Sequence, residues 1–353
     1  MQTENVEKNV TCRELKRRRR AGTLLLSLIL LTVVAYFVCI TIGSVKLSIS
    51  SVYSALFGGN TDWSEDFIVN ELRAPRLMGA ALTGAALPLA GLAMQALFRN
   101  PMASASVLGI SSGASFGAAA FIAYGSGLAL GIAGTSLCAF AMALITMLLV
   151  YSLAYRRAGG VQTTLLLLSG MAVSSLFSGL TSMVEFFSDE NTVTSIVFWM
   201  LGSFDGCSWT DVKTMAIPVF IGLILVSVNA REMNLLTAGE TKAKALGVNV
   251  RRVRLTILIG SAVLVAGTVS ICGVIGFVGL IIPHIFRSLI GPDHKKLVPI
   301  CIFGGALFLM LVDTFARTVM MGEELPVGIV TSILGAPFFI WILRSKKGYL
   351  WRA

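Results

Sequence analysis

The side chains of this 353-residue chain that could do chemistry are few, and their spacing excludes most covalent chemistry. The two histidines, His284 and His294, have no second ligand at metal spacing and no H-E-x-x-H occurs, so no metal centre is expected. No G-x-x-x-x-G-K-[ST] is present, so the chain has no phosphate loop of its own. Nothing resembles a catalytic triad or paired carboxylates in a cleft, which argues against a membrane enzyme. What remains is a hydroxyl stripe. Ser174, Ser178 and Thr181 fall at i, i+4 and i+7, with Ser175 and Ser182 beside them, and Met171 and Met183 add soft adaptable surface. Thr331 and Ser332 precede Gly335 and Pro337, which should loosen the helix there. Such residues either bond neighbouring helices or line a polar path. As a set, the stripe of Met171, Ser174, Ser178, Thr181, Thr331 and Ser332 is expected to line a translocation path.

The elements that position these residues are apolar stretches. There are ten, at about 21–42, 76–97, 105–124, 130–155, 162–187, 211–229, 253–272, 274–290, 297–319 and 327–343. Most approach the ~20 residues that an α-helix needs to cross ~30 Å of hydrocarbon. The composition agrees: 56% hydrophobic, 13% charged and mean hydropathy +0.83, against about 25% charged in soluble domains. With the N-terminus in the cytoplasm, all but Lys46, Arg73, Arg76, Lys213 and Arg317 of the 28 Lys and Arg fall on the inner side. That alternation predicts an all-α polytopic protein with ten transmembrane helices and both termini cytoplasmic. It also accounts for the net charge of +10 without nucleic acid. An odd repeat would make two five-helix halves of opposite topology, an inverted repeat.

Residues 1–20 read as a basic, poorly ordered cytoplasmic tail and 346–353 as a second tail, with one membrane domain over 21–345. The first apolar stretch is too long for a signal h-region and is read as retained. In the loop 43–75, residues 50–57 and 64–73 read as short amphipathic helices broken by Gly58-Gly59-Asn60. In 188–210, Trp199, Phe204 and Trp209 suit an aromatic belt. The stretches joined by Gly273 should form a tight pair, and Pro88 should kink the second stretch. The inner loop 230–252 is the largest cytoplasmic feature. The six cysteines make no motif. No Lys, Arg, Asp or Glu lies near the middle of any stretch; Glu185 and Asp313 sit toward the outer ends. Carriers coupled to protons or voltage usually need such groups, although sodium-coupled ones can use broken helices instead.

Several motifs in order resemble a known family. Leu72-Arg73-Ala74-Pro75-Arg76-Leu77 is followed by Gly84-Ala85-Ala86-Leu87, Arg99-Asn100-Pro101-Met102-Ala103 and Leu108-Gly109-Ile110-Ser111-Ser112-Gly113-Ala114. Ala243-Lys244-Ala245-Leu246-Gly247-Val248, then 276–284 (GFVGLIIPH), 326–331 (PVGIVT) and 335–339 (GAPFF) complete the series. Together they resemble the permease subunits of iron-chelate and cobalamin ABC importers of the FecCD type. The resemblance implies ten spans per subunit in a bacterial cytoplasmic membrane. It implies a pore made by two permease subunits, identical or paralogous, and two separate cytoplasmic ATPases that use the ATP. An extracytoplasmic binding protein delivers the ligand, and no cofactor is bound by the permease. The expected cargo is a ferric siderophore, with haem or cobalamin as alternatives. Glu240, Ala245, Leu246 and Gly247 would carry the coupling contact to the ATPase. Arg73, Arg76 and Arg317 would be outer-surface arginines that pair with glutamates of the binding protein. A secondary carrier working alone is the rival reading.

Overall fold

The computed structural model describes residues 2–43, 45, 47–59, 62–125, 131–156, 160–320 and 323–344, with backbone only over 2–18 and at 156, 160, 161 and 343. The expected tail at 346–353 lies outside the described residues. In chain order the elements are α1 (Gln2–Thr41), α2 (Ile49–Phe57), α3 (Trp63–Phe67), a π turn (Ile68–Arg73) and α4 (Ala74–Phe98). A 3-10 turn (Ala105–Leu108), α5 (Ile110–Tyr124), α6 (Gly131–Ala154), α7 (Thr163–Phe186) and α8 (Glu190–Leu201) follow. The chain continues through α9 (Trp209–Ser227), α10 (Ala230–Thr237), α11 (Glu240–Ala245) and α12 (Val250–Cys272). It ends with α13 (Val278–Ile290), α14 (His294–Ala316) and α15 (Val327–Arg344). The one departure from an all-helical chain among the described residues is a two-residue antiparallel ladder, β1 (Tyr155–Arg156) with β2 (Gly160–Val161), pairing Tyr155 with Val161.

Among the described residues, seven helical segments are long and apolar enough to cross a membrane: Arg19–Thr41, Trp63–Phe98, α6, α7, α9, α12 and α14. The other three expected spans correspond to the shorter apolar helices α5, α13 and Val327–Ile342 of α15. α1 runs back to Gln2 through the basic segment where a poorly ordered tail was expected. The segment contains no Pro and no Gly before Gly22, so nothing in it stops a helix. The two short amphipathic helices of the 43–75 loop form as α2 and as α3 with its π turn.

α4 is the axis of the bundle. The most apolar part of α4 is 83% buried, with α12 at 72% and α14 at 67%, against 17% for α1 and 22% for α7. Small residues explain why. A Cβ on Gly84 would overlap the carbonyl of Gly305 and lie 2.8 Å from Ala306 Cα, and a Cβ on Gly305 would overlap the carbonyl of Gly84. The backbones of α4 and α14 therefore touch, as small residues allow in lipid. Pro88 does not break α4, which is continuous through it. Lacking an N–H, Pro88 leaves the carbonyl four residues earlier, that of Gly84, without its helical donor. That carbonyl faces Gly305, and the Pro88 ring fills the space beside it.

Two expectations are corrected. α13 does not pair with α12. It packs on α4 and α14, because a Cβ on Gly91 of α4 would overlap the Gly279 carbonyl of α13 and only glycine lets them meet. Five residues, Gly273 to Phe277, separate the helices, and Cys272 O accepts from Ser203 N at 2.9 Å. In the 188–210 segment, Phe204 is a core residue at 1% exposure rather than a belt residue. Trp209 donates its Nε1–H to Asn70 O at 2.8 Å, which ties α9 to the π turn before α4.

Candidate docking, coupling and translocation sites

At the end of the bundle expected to face outward, the three arginines read from sequence as surface charges are buried. Arg73, Arg76 and Arg317 are 6%, 7% and 5% exposed. Arg73 donates to the carbonyls of Ile40 (2.8 Å) and Thr41 (3.3 Å) from Nη1 and to Val45 O (2.5 Å) from Nη2. Arg317 Nη2 donates to Cys39 O at 2.5 Å. Both guanidiniums thus cap the carbonyl end of α1, where a helix leaves its last acceptors unmatched and favours a cation. Arg76, three residues beyond Arg73, reaches a different element. Its Nε donates to Asp313 Oδ1 (3.0 Å) and Oδ2 (3.2 Å), and Nη2 lies 3.0 Å from Oδ1. Its Nη1 meets Glu324 Oε2 at 2.5 Å and lies 3.8 Å from Asp205 Oδ1. Asp313 has no exposed surface, whereas the Asp205 side chain is 77% exposed and that of Glu324 38%. The result is a buried Arg–Asp pair with exposed carboxylates at its rim. Nothing in the spacing of Arg73 and Arg76 signalled this, since the carboxylate lies 237 residues away in sequence.

At the other end, the 230–252 segment folds into α10, α11 and the start of α12. Glu240 opens α11 and pairs with Arg254 of α12. Ala245 closes α11, Leu246 follows at 67% exposure, and Gly247 turns the chain at φ +81°. Gly247 N donates to Lys244 O (3.0 Å) and Val248 N to Ala243 O (3.0 Å), the glycine-dependent helix stop in which αL backbone satisfies the last carbonyls. That stop leaves Leu246 standing out at the edge of a groove of about 420 Å³, lined in part by Arg231, Glu232, Asn249 and Arg252.

A contact missed from sequence anchors this segment to the core. Asn234 of α10 donates its Nδ2–H to Asp293 Oδ1 (2.9 Å), and its Oδ1 accepts from the His294 backbone N–H (2.8 Å) and lies 2.7 Å from His294 Nδ1. An amide oxygen is an acceptor, so Nδ1 carries the proton. Burial raises the Asp293 carboxyl, but the bonds from Asn234 and Lys295 N and the charge of Lys296 hold it below its ordinary value. The sequence offered only a lone Asn and an Asp before a helix. Among the described residues, no group of three His, Cys, Asp or Glu could hold a metal.

The hydroxyl stripe divides. On α7, Met171 (60% exposed), Ser175, Ser178 and Ser182 form an exposed row at i, i+4, i+7 and i+11. Ser174 is half-buried against Gly109, whose Cβ would lie 2.8 Å from Ser174 Oγ. Thr181 and Thr331 are buried and donate to their own helices, at Phe177 O (2.9 Å) and Gly328 O (3.1 Å). Ser332 is exposed beside the Gly276 turn. Just after that turn, Phe277 holds φ +64°, a left-handed conformation rare for a bulky residue. The base of its side chain packs on Gly335 of α15, where any Cβ would strike it.

The arrangement has two contrasting ends and an apolar bundle with an exposed row of small hydroxyls, and it has close relatives. Residues 30–345 match the model of the FecCD transport family. The chain is 41% identical over 280 residues to the cobalamin import system permease protein BtuC of Halobacterium salinarum, covering 79% of this chain and 74% of that protein. It is 34% identical to the hemin transport system permease protein HmuU of Yersinia pestis, covering 88% and 93%. The solved structure of a metal-chelate type ABC transporter in an inward-facing conformation superposes with a TM-score of 0.81 at 33% identity, over 91% of this chain and 99% of that one. The chain therefore belongs to the FecCD transport family, as a permease subunit that crosses the cytoplasmic membrane several times.

Proposed function

We propose that two such subunits form the path of an ATP-driven importer for a bulky metal chelate, with a ferric siderophore as cargo. The observation that carries this reading is the family match over nearly the whole chain, joined to the absence of any phosphate loop in the sequence. ATP would be hydrolysed by two separate cytoplasmic ATPases, and a binding protein would deliver the ligand. Ten crossings with both termini in the cytoplasm fit the charge alternation. The relative named for cobalamin import, at 41% identity, favours cobalamin as the second reading. Identifying the ligand that copurifies with the cognate binding protein separates them: an iron chelate supports the first, and a corrinoid replaces it with the second.

Coupling would run through Leu246, presented by the Gly247 stop, with Glu240 and Ala245 fixing α11. Leu246→Glu sits at an exposed site and leaves the helix stop intact. It is expected to lower chelate uptake about tenfold, the effect of losing one contact of roughly 1.4 kcal/mol, while the ATPase still hydrolyses ATP. Uptake and hydrolysis that stay in their normal ratio contradict the assignment.

Docking would use Arg76, with Arg73 and Arg317 holding the α1 end beneath it. Since Glu324 already occupies Arg76, a partner carboxylate would have to take its place. Glu324→Gln removes that competitor, and is expected to tighten binding-protein affinity by about two- to fivefold, the scale of a partly exposed ion pair. Weaker or unchanged affinity argues against Arg76 as the receptor. The exposed α7 row of Met171, Ser175, Ser178 and Ser182, with Ser332, would face the path.

A further inference from the structure

We propose that α2 and the carbonyl end of α1 form an interfacial anchor, a groove that seats lipid acyl chains where the bundle meets the membrane surface. α2 has nine residues and none is charged. Ile49, Tyr53 and Phe57, at i, i+4 and i+8, are 78%, 65% and 63% exposed, while Val52 and Ala55 on the opposite side are buried. The Tyr53 and Phe57 rings touch at 4.7 Å between centroids, so the exposed row is one continuous apolar strip. Exposed apolar strips of this kind mark a surface that something covers.

What covers it follows from continuity. A groove of about 320 Å³ runs between Phe37 and Thr41 of α1 and Ile49, Tyr53, Leu56 and Phe57 of α2. Phe37 is also the last member of an exposed row along α1, with Leu26, Leu30 and Val33 at i, i+4 and i+7 before it. That row is apolar throughout, without the hydroxyls of the exposed α7 row, and belongs to a span only 17% buried by protein, so acyl chains would be its cover in the bilayer. The groove prolongs the same lipid-facing strip past the last turn of the span. Beyond it, Trp63 is 80% exposed and stacks on Phe67 at 5.5 Å, and Trp and Tyr are the side chains that prefer the headgroup level. A protein partner is less suited to α2, because the strip has no charged residue to supply a polar rim. The inference depends on the membrane location of the chain and not on its cargo or energy source.

The test uses the full chain in phosphatidylcholine nanodiscs, with Tyr53→Trp and Phe57→Trp each read as a difference from the parent. Both sites are exposed, so the folded bundle tolerates either ring. The expected result is blue-shifted added emission, quenched several-fold more by lipid brominated near the headgroup end of the chain than by aqueous iodide. Emission quenched by iodide and indifferent to bromine places the strip in water and overturns the proposal. Emission quenched by neither means that protein covers it, a second copy or another partner, and overturns it as well.

Discussion

Asp313→Ala should cost the protein about 3–5 kcal/mol, the usual consequence of removing one member of a buried ion pair. Asp313 has no exposed surface, accepts from Arg76 Nε through both carboxylate oxygens and lies 3.0 Å from Nη2. Without it, the Arg76 guanidinium keeps Glu324 and the more distant Asp205 at its exposed rim, and its buried Nε side loses its acceptor between α4 and α14. The penalty is desolvation, so it does not fade with salt as a surface pair would. A thermal melt in detergent should show a large drop in midpoint, with early loss of monodisperse protein. The double variant Arg76→Met with Asp313→Val removes both charges with little change in volume and should recover much of the loss. A single variant that melts with the parent, or a double variant worse than the single, would show that the pair does not hold α4 to α14.

The second large effect is expected at Gly305. A valine there drives its side chain into the Gly84 carbonyl and the Pro88 ring, both parts of a helix that has nowhere to move. Overpacking costs about 1–3 kcal/mol in ordinary cores, and contact with backbone rather than flexible side chain places this site at or above the top of that range. Gly305→Ala is the sharper comparison. In an unobstructed helix, Gly to Ala stabilises by roughly 0.5–1 kcal/mol, and Gly22→Ala in α1, with nothing within 4 Å of its Cβ, should behave so. At Gly305 the sign should reverse. Melting points for Gly22→Ala, Gly305→Ala and Gly305→Val should rise slightly, fall and fall steeply. A neutral Gly305→Ala would mean that the two helices can part without loss.

Much of this architecture is legible in the sequence because local rules govern it. Apolar run length finds the long helices, although α5, α13 and α15 come out shorter than the seven long enough to cross a membrane. Gly58 ends α2 where a breaker was expected, in the left-handed conformation that glycine tolerates. α11 and its stop at Gly247 follow local rules in the same way, since the run from Glu240 is free of Pro and Gly up to that glycine. What stayed hidden is set by partners far off in the chain. The positive-inside rule marked Arg73, Arg76 and Arg317 as exceptions but could not say what they touch. They proved to be a cap on α1 and a pair to α14, and an exposed charge and a satisfied buried one look the same in sequence. Phe204 looked like a belt aromatic for the same reason. The stripe of Ser174, Ser178 and Thr181 followed helical period, yet the exposed row runs through Ser175, Ser178 and Ser182, because α5 and α6 choose which face of α7 is covered. The Asn234 clamp needs both α10 and the start of α14 in place before it can be seen.

The measurement closest to the central claim is uptake into proteoliposomes holding this chain with or without its ATPase partner, loaded with binding protein and chelate and supplied with ATP or an ion gradient. An importer permease predicts accumulation only when the ATPase and ATP are both present, and no loss of uptake when ionophores collapse every gradient. Accumulation that persists without the ATPase and follows an ion gradient would contradict it and make the chain a carrier working alone.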